Sequence, residues 1–226
     1  MNNQTIARLA GATLASLLLA GAAQAQSAGN LLARVGVTTI QPQTTSGDLG
    51  APSLAGTKVD VASASSLTGG FTYMLSDNLS VDLPLALPFK HEVNGAGAIA
   101  GSGKIGEVQA LPITLLGQYR FGAPQNLLRP YVGAGLTYAK FFKARTSATM
   151  TALTGGSPAD PTLMKVDSKL AATVQLGASL ALSPRWSLDA SATHTWLKTR
   201  ATLSTGQGID LKLDPRSYGI AVSRTF

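Results

Sequence analysis

Apolar and polar residues alternate along most of this 226-residue chain, and its last ten residues show the pattern most clearly. Tyr218, Ile220, Val222 and Phe226 fall on one face of an extended strand, whereas the residues between them are small or polar. This spacing indicates a strand because successive side chains of a strand point to opposite faces. Arg224 departs from the apolar face, but at a membrane rim its head can reach water. Such a strand suits a wall with lipid outside and a polar lumen inside.

Eight segments share this period of two, which predicts eight strands. They are residues 30–40, 65–75, 79–90, 108–121, 129–142, 168–182, 186–202 and 209–226. The connections after the second, fourth and sixth strands are short, whereas most of the others are long loops. This alternation is typical of an outer-membrane barrel with short periplasmic turns. We therefore predict an all-β fold, an eight-stranded antiparallel up-and-down transmembrane β-barrel, in the outer membrane of a Gram-negative bacterium.

A soluble periplasmic β-sandwich is the alternative, because its strands also alternate. Aromatic residues near the predicted strand ends favour the barrel, since aromatic girdles mark both membrane interfaces of such proteins. The girdle candidates are Phe89, Tyr119, Phe121, Tyr138, Phe142, Trp186, Trp196, Tyr218 and Phe226.

The first 25 residues have the pattern of a secretory signal peptide, which supports export. Arg8 precedes an apolar run over residues 9–23, and Ala23-Gln24-Ala25 fits a small-residue cleavage site. We predict cleavage before Gln26 and one barrel domain over residues 26–226. The chain has no cysteine, which excludes a disulfide framework and thiolate chemistry.

The formal net charge is +7, and it comes from scattered residues rather than from the clustered patch that nucleic-acid binding requires. We expect lipid and lipopolysaccharide as partners, because basic side chains at the outer rim would meet phosphates and form charge-assisted hydrogen bonds. The outer-rim candidates are His91, Lys143, Arg145, Lys165 and Arg200.

An enzyme needs groups that converge on one site, and the two histidines, His91 and His194, have no evident catalytic partners. His91 with Glu92 is also too few ligands for a metal. We therefore expect no catalytic residue, no metal and no cofactor.

Six residues alternate away from the predicted lipid face and are the candidates for the lumen. They are Asp82, Arg120, Phe141, Lys169, Gln175 and Asp189. A charge inside a small barrel must be paired or hydrated. The polar members therefore form either a network that fills the lumen or a selectivity element, and lumen polarity is compatible with both.

The mature chain resembles the OmpW family of small outer-membrane proteins. The shared motifs, in chain order, are RVGV at 34–37, LSVDL at 79–83, LPFKH at 87–91, LPITL at 111–115, QYRF at 118–121, PYVGAGL at 130–136 and the terminal Phe226. The resemblance implies a narrow, largely hydrophobic channel that helps small hydrophobic molecules to cross the outer membrane. The alternative is a structural or host-contact barrel with a closed lumen, whose outer loops act.

Overall fold

A computed structural model describes residues 26–226, so the predicted signal peptide lies outside the described residues. The strands are β1 (Leu31–Gln41), β2 (Thr45–Ser46), β3 (Thr57–Val61), β4 (Ala64–Met74), β5 (Leu79–Ala86), β6 (Phe89–Gly97), β7 (Lys104–Arg120), β8 (Leu128–Thr146), β9 (Met164–Val166), β10 (Lys169–Ala181), β11 (Trp186–Thr195), β12 (Lys198–Leu203), β13 (Gly208–Lys212) and β14 (Arg216–Thr225). A short helix, α1 (Ala148–Leu153), precedes β9. Within residues 26–226, no helix has the length and apolar character needed to cross a bilayer.

Eight of these strands close into a barrel. Each pairs antiparallel with the next in the order β1, β4, β5, β7, β8, β10, β11 and β14. The barrel closes where β14 returns to β1, with Leu32 opposite Thr225 and Gln41 opposite Arg216. Closure pairs the backbone groups of the wall and leaves no sheet edge for lipid to meet. The predicted fold class is confirmed.

The wall has an apolar outer face and a polar inner face in its membrane-spanning part. On β10, the lipid-facing Leu176 is 62% exposed, whereas Thr173 on the inner face is 3% exposed. The same alternation runs along β1, where Val35 and Val37 are exposed and Arg34 is partly buried. Because neighbouring side chains of a strand point to opposite faces, the period of two is sufficient to build both surfaces.

The long outer connections, which the sequence pattern predicts to be loops, contain further strands. β2, β13, β12 and β9 form a four-stranded sheet, and β3 pairs with β6, which in turn pairs with the upper part of β7. These strands extend the barrel above the membrane-spanning wall. They are stable because their inner apolar side chains, including Val61, Val93 and Leu211, are buried in a common cluster.

One girdle candidate does not lie on the outer surface. Phe89 is buried inside the barrel, because β5 ends at Ala86 and β6 begins at Phe89. Odd-numbered residues face outward along β5. After the irregular backbone at Leu87 and Pro88, the odd-numbered residues of β6 face inward instead. Most of the other candidates are exposed aromatics, as the prediction requires: Tyr119, Phe121, Tyr138, Trp186, Trp196, Tyr218 and Phe226.

The topology can be tested with single cysteines, because the natural chain has none. We expect a membrane-impermeant maleimide to label Ala159→Cys on intact cells, since the exposed segment after α1 belongs to the extracellular end. Gln125→Cys, in the short turn between β7 and β8, should be labelled only after the outer membrane is permeabilised. Labelling of Gln125→Cys but not of Ala159→Cys on intact cells would reverse the orientation.

Candidate functional site

The candidate site is the lumen of the barrel, and its base contains a buried ion pair between adjacent regions of the wall. Arg34 on β1 forms two hydrogen bonds to Asp82 on β5, with Nη1 to Oδ1 at 2.6 Å and Nη2 to Oδ2 at 2.8 Å. Thr72 on β4 also donates to Asp82 Oδ1 at 2.6 Å. Asp82 has no solvent exposure, so these partners stabilise a carboxylate that would otherwise be costly to bury.

A second group of contacts connects the other side of the base. Arg120 Nη2 donates to Gln118 Oε1 at 3.0 Å, and its guanidinium carbon lies 4.7 Å from the centre of the Tyr131 ring. Gln118 Nε2 donates to Gln175 Oε1 at 2.7 Å. Tyr131 donates its hydroxyl proton to Asp189 at 2.9 Å. Three more strands, β7, β8 and β10, are thereby linked to β11 across the lumen.

The first described residue also enters this base. Gln26 Nε2 donates to Ser179 Oγ at 2.8 Å, and its side-chain oxygen accepts from Arg120 Nη1 at 3.2 Å. Arg129 Nη1 donates to the Gln26 backbone carbonyl at 2.8 Å, and Arg129 Nη2 donates to the Asp77 carbonyl at 2.5 Å. Gln26 therefore covers the periplasmic end of the lumen.

We call this set of hydrogen-bonded residues the polar plug. Its members are Gln26, Arg34, Thr72, Ser80, Asp82, Gln118, Arg120, Arg129, Tyr131, Gln175, Ser179 and Asp189. Gly177 makes room for it, because a Cβ at that position would overlap the Tyr131 ring. An eight-stranded barrel is narrow enough for side chains to fill its interior, and the plug does so at the base.

Above the plug, four threonines form a chain of hydroxyl groups that we call the hydroxyl belt. Thr114, Thr137, Thr173 and Thr195 lie on the adjacent strands β7, β8, β10 and β11. Their hydroxyl oxygens are separated by 2.8, 2.6 and 2.9 Å in that order. A hydroxyl both donates and accepts, so the belt satisfies much of its own hydrogen-bonding capacity, and it lies between the plug and the upper lumen along these four strands.

The upper lumen is apolar, and we call it the vestibule. Its wall includes the buried residues Leu49, Val61, Val93, Ile105, Val108, Met150, Leu197, Leu203, Ile209, Leu211 and Leu213, with Phe141, Met164 and Val166 packed against them. A cavity of about 210 Å³ is bounded by the vestibule, the hydroxyl belt and part of the plug. This lining is the opposite of the polar, water-filled interior of a porin.

The wall beside the vestibule is incompletely paired. Hydrogen-bonded pairing between β8 and β10 reaches Ala139 and Lys169 at its upper end. Beyond it, Phe141 N donates to Ser168 Oγ at 3.1 Å, and the rest of β8 pairs with β7 while β9 pairs with β12. Phe141 lines both the main cavity and the depression at this gap. The gap therefore lies next to the apolar lumen.

Five of the six lumen candidates lie inside the barrel. Asp82, Arg120, Gln175 and Asp189 are buried in the plug, and Phe141 is part of the vestibule wall. The prediction for Lys169 was wrong: its side chain is about half exposed, and Nζ lies 3.8 Å from the Asp167 carboxylate. Counted along β10, Lys169 belongs to the alternate residues that point inward. It is, however, the first residue of the strand, where the pairing of the wall ends and the gap begins.

Among the outer-rim candidates, Lys143, Arg145, Lys165 and Arg200 are exposed on the extracellular part of the barrel. His91 is different, because it is 4% exposed and lines the vestibule cavity. Burial lowers the pKa of His91, although its hydrogen bond to Ala62 acts in the opposite direction. His91 is therefore an interior residue of the extracellular barrel and not a rim residue.

Several members of the site were not selected from the sequence. Arg34 and the belt threonines occupy inward-facing positions of the alternating pattern, so the alternation could have identified them. Gln26 precedes β1 and has no strand parity to indicate its position. Within residues 26–226, no three His, Cys, Asp or Glu side chains are grouped so that they could hold a metal ion.

A closed eight-stranded barrel with an apolar outer belt and a filled base is a transmembrane barrel of the outer membrane. The family model described as OmpW family matches residues 27–226. The chain therefore belongs to the OmpW family, as the sequence motifs predicted.

Relatives and a solved structure agree with this assignment. The chain is 32% identical over 203 residues to outer membrane protein W of Vibrio cholerae, covering 87% of this chain and 88% of the relative. It is 33% identical over 219 residues to outer membrane protein W of Escherichia coli K12, covering 95% of each. The crystal structure of the outer membrane protein OprG from Pseudomonas aeruginosa superposes with a TM-score of 0.80 at 29% identity, covering 90% of this chain and 99% of OprG.

Proposed function

We propose that this barrel helps small hydrophobic molecules to cross the outer membrane by binding them in the vestibule. The observation that carries the proposal is the apolar lining of the upper lumen, which is buried inside the protein and adjoins a cavity. Burial of apolar surface stabilises a bound apolar molecule by roughly 25 cal/mol per Å². A porin-type pore for hydrophilic solutes would instead require a polar, hydrated wall along its length.

The base of the lumen determines which route such a molecule can take. The polar plug fills the base with the Arg34–Asp82 ion pair and with further hydrogen-bonded charged and amide groups, so an apolar molecule has no favourable path through it. The gap beside Phe141 adjoins the vestibule and offers a path through the side of the wall. The proposed transfer therefore runs from the vestibule past Phe141, without passage through the plug.

Two relatives carry names that support an apolar substrate class. They are the dibenzothiophene metabolism operon protein PahQ of Pseudomonas aeruginosa and its counterpart DoxH of Pseudomonas sp. strain C18, each 26% identical over 176 residues. Dibenzothiophene is a fused-ring aromatic compound with little polar surface. A vestibule of aliphatic and aromatic side chains is suited to molecules of that class.

Replacing Phe141 by alanine tests the proposal at the junction between the vestibule and the gap. We expect the uptake rate of a small apolar compound to rise about threefold, because the shorter side chain widens the junction and lowers the barrier by roughly 0.7 kcal/mol. Uptake of a hydrophilic solute of similar size should stay nearly unchanged, because the plug is intact. The measurement compares both rates in cells that carry equal amounts of folded barrel.

Leu136→Ala is the matched control, since Leu136 lies on the same strand but faces lipid, and it should leave both rates unchanged. Unchanged uptake of the apolar compound after deletion of the whole protein would contradict the proposal. The structural or host-contact barrel with a closed lumen would then be the better description.

A further inference from the structure

His91 presents an unusual polar group to the vestibule. It lies on β6 and its ring stacks against Phe89, with ring centres 6.4 Å apart and planes inclined by 25°. Nδ1 lies 2.8 Å from the Ala62 carbonyl oxygen. Because a carbonyl can only accept, Nδ1 carries the proton and Nε2 of the neutral ring carries a lone pair. Nε2 receives no hydrogen bond from the residues that the structure describes.

Two threonines that line the same cavity already donate to backbone carbonyls. Thr146 donates to the Thr162 carbonyl, and Thr199 donates to the Asp167 carbonyl at 2.6 Å. The remaining neighbourhood of His91 is apolar, with Val61, Val93 and Val108 among the buried residues. Nε2 is open to the cavity rather than sealed in the protein, because Arg129 Nε is the one buried side-chain nitrogen or oxygen without a partner among residues 26–226. A bound molecule that displaces water from Nε2 loses that hydrogen bond unless it donates one itself. Nε2 is therefore an acceptor on the cavity wall that a bound molecule could satisfy.

We propose that His91 Nε2 is the recognition point of the vestibule for small apolar molecules that carry one hydrogen-bond donor, such as phenols and long-chain alcohols. This inference rests on the proposed function, because it assumes that the vestibule binds apolar molecules. A hydrocarbon contacts the apolar wall but leaves Nε2 unpaired. A hydroxyl-bearing molecule of the same shape contacts the wall and also donates a hydrogen bond to Nε2. A site with a buried polar group discriminates against the analogue that lacks its partner.

Equilibrium binding of 1-naphthol and 1-methylnaphthalene to the full-length barrel in lipid nanodiscs tests the inference. The two compounds have similar size and differ in the hydroxyl group, and protein-free nanodiscs correct for partition into lipid. We expect the wild-type protein to bind 1-naphthol about fivefold to tenfold more tightly, as one net hydrogen bond implies. Thr57→Val, which alters another buried residue of the same cavity, should keep this preference.

Two substitutions separate recognition by Nε2 from support of the backbone by Nδ1. His91→Asn places an amide near the Nδ1 position and can keep the bond to Ala62, so it should bind both compounds equally. His91→Gln extends its amide toward the Nε2 position and should keep a preference for 1-naphthol. A difference in gel mobility between heated and unheated samples confirms that each variant is a folded barrel.

The outcomes distinguish this inference from the proposed function. Saturable binding of both compounds without preference by the wild-type protein would overturn the recognition role and leave the apolar vestibule intact. Binding of neither compound would contradict the proposed function itself. A preference that survives in His91→Asn and disappears in His91→Gln would show that His91 acts through the Ala62 contact alone, which also overturns the inference.

Discussion

Replacing Asp82 by alanine should lower the free energy of unfolding by about 3 kcal/mol, because it leaves the Arg34 guanidinium buried without its counter-charge. The lost pair is close and bidentate, and removal of one partner of such a pair costs roughly 3–5 kcal/mol. We expect the lower end of that range, since Arg34 borders the cavity and keeps slight exposure. Urea unfolding in lipid vesicles, followed by fluorescence of the two tryptophans, provides the measurement.

A charge-free pair is the matched control for Asp82→Ala. Arg34→Met combined with Asp82→Asn removes both charges, approximately conserves volume and lets Thr72 keep a hydrogen-bond acceptor. The double variant should recover more than half of the lost stability, because loss of both partners is much less costly than loss of one. A loss below about 1 kcal/mol in Asp82→Ala would indicate instead that water solvates Arg34 and that the base is hydrated.

The sequence predicted the membrane-spanning wall well because lipid imposes a simple requirement on it. Every second residue of a spanning strand must be apolar, and closure of the barrel leaves no edge strand that could depart from this rule. The alternation along β10 and β14 is therefore visible without any alignment. The predicted turns between β4 and β5 and between β10 and β11 agree with the structure for the same reason.

The extracellular extension was predicted poorly because the polarity of its two faces is reversed. Above the membrane the outer face meets water and the inner face is apolar: Lys198 and Arg200 of β12 point outward, whereas Leu197 and Leu203 are buried. Alternation has the same period in both regions and does not reveal which face is inside. At β6 the backbone irregularity near Pro88 also changes the parity, which is why Phe89 and His91 were assigned to the wrong surface.

The site residues were likewise predicted well within the spanning strands and poorly outside them. Asp82, Arg120, Gln175 and Asp189 were found because each lies within a regular spanning strand, where parity determines direction. Lys169 was misassigned because it begins its strand, where the wall is no longer closed on both sides. Partners outside the strands, such as Gln26, are set by tertiary packing, and neither periodicity nor propensity predicts them.

Placing an arginine in the middle of the lipid face should destabilise the barrel strongly. Leu176 lies centrally among the lipid-facing residues of β10 and is well exposed on the outer surface. We expect Leu176→Arg to lower the free energy of unfolding in vesicles by about 2–4 kcal/mol, because the charge would face hydrocarbon near the bilayer midplane. Thr173→Arg, on the inner face, should instead disturb the hydroxyl belt and alter conductance.

Leu182→Arg is the depth control for Leu176→Arg. Leu182 directly follows β10 on the same strand path and lies close to Trp186 at the periplasmic interface, where the Leu182 amide donates to the Trp186 carbonyl at 2.8 Å. An arginine there can extend its head into water, so the expected loss is only about 0–1 kcal/mol. The difference between the two positions isolates the effect of membrane depth from that of losing a leucine. Equal losses at both positions would contradict the placement of Leu176 in the hydrocarbon core and would require a different position of the barrel in the bilayer.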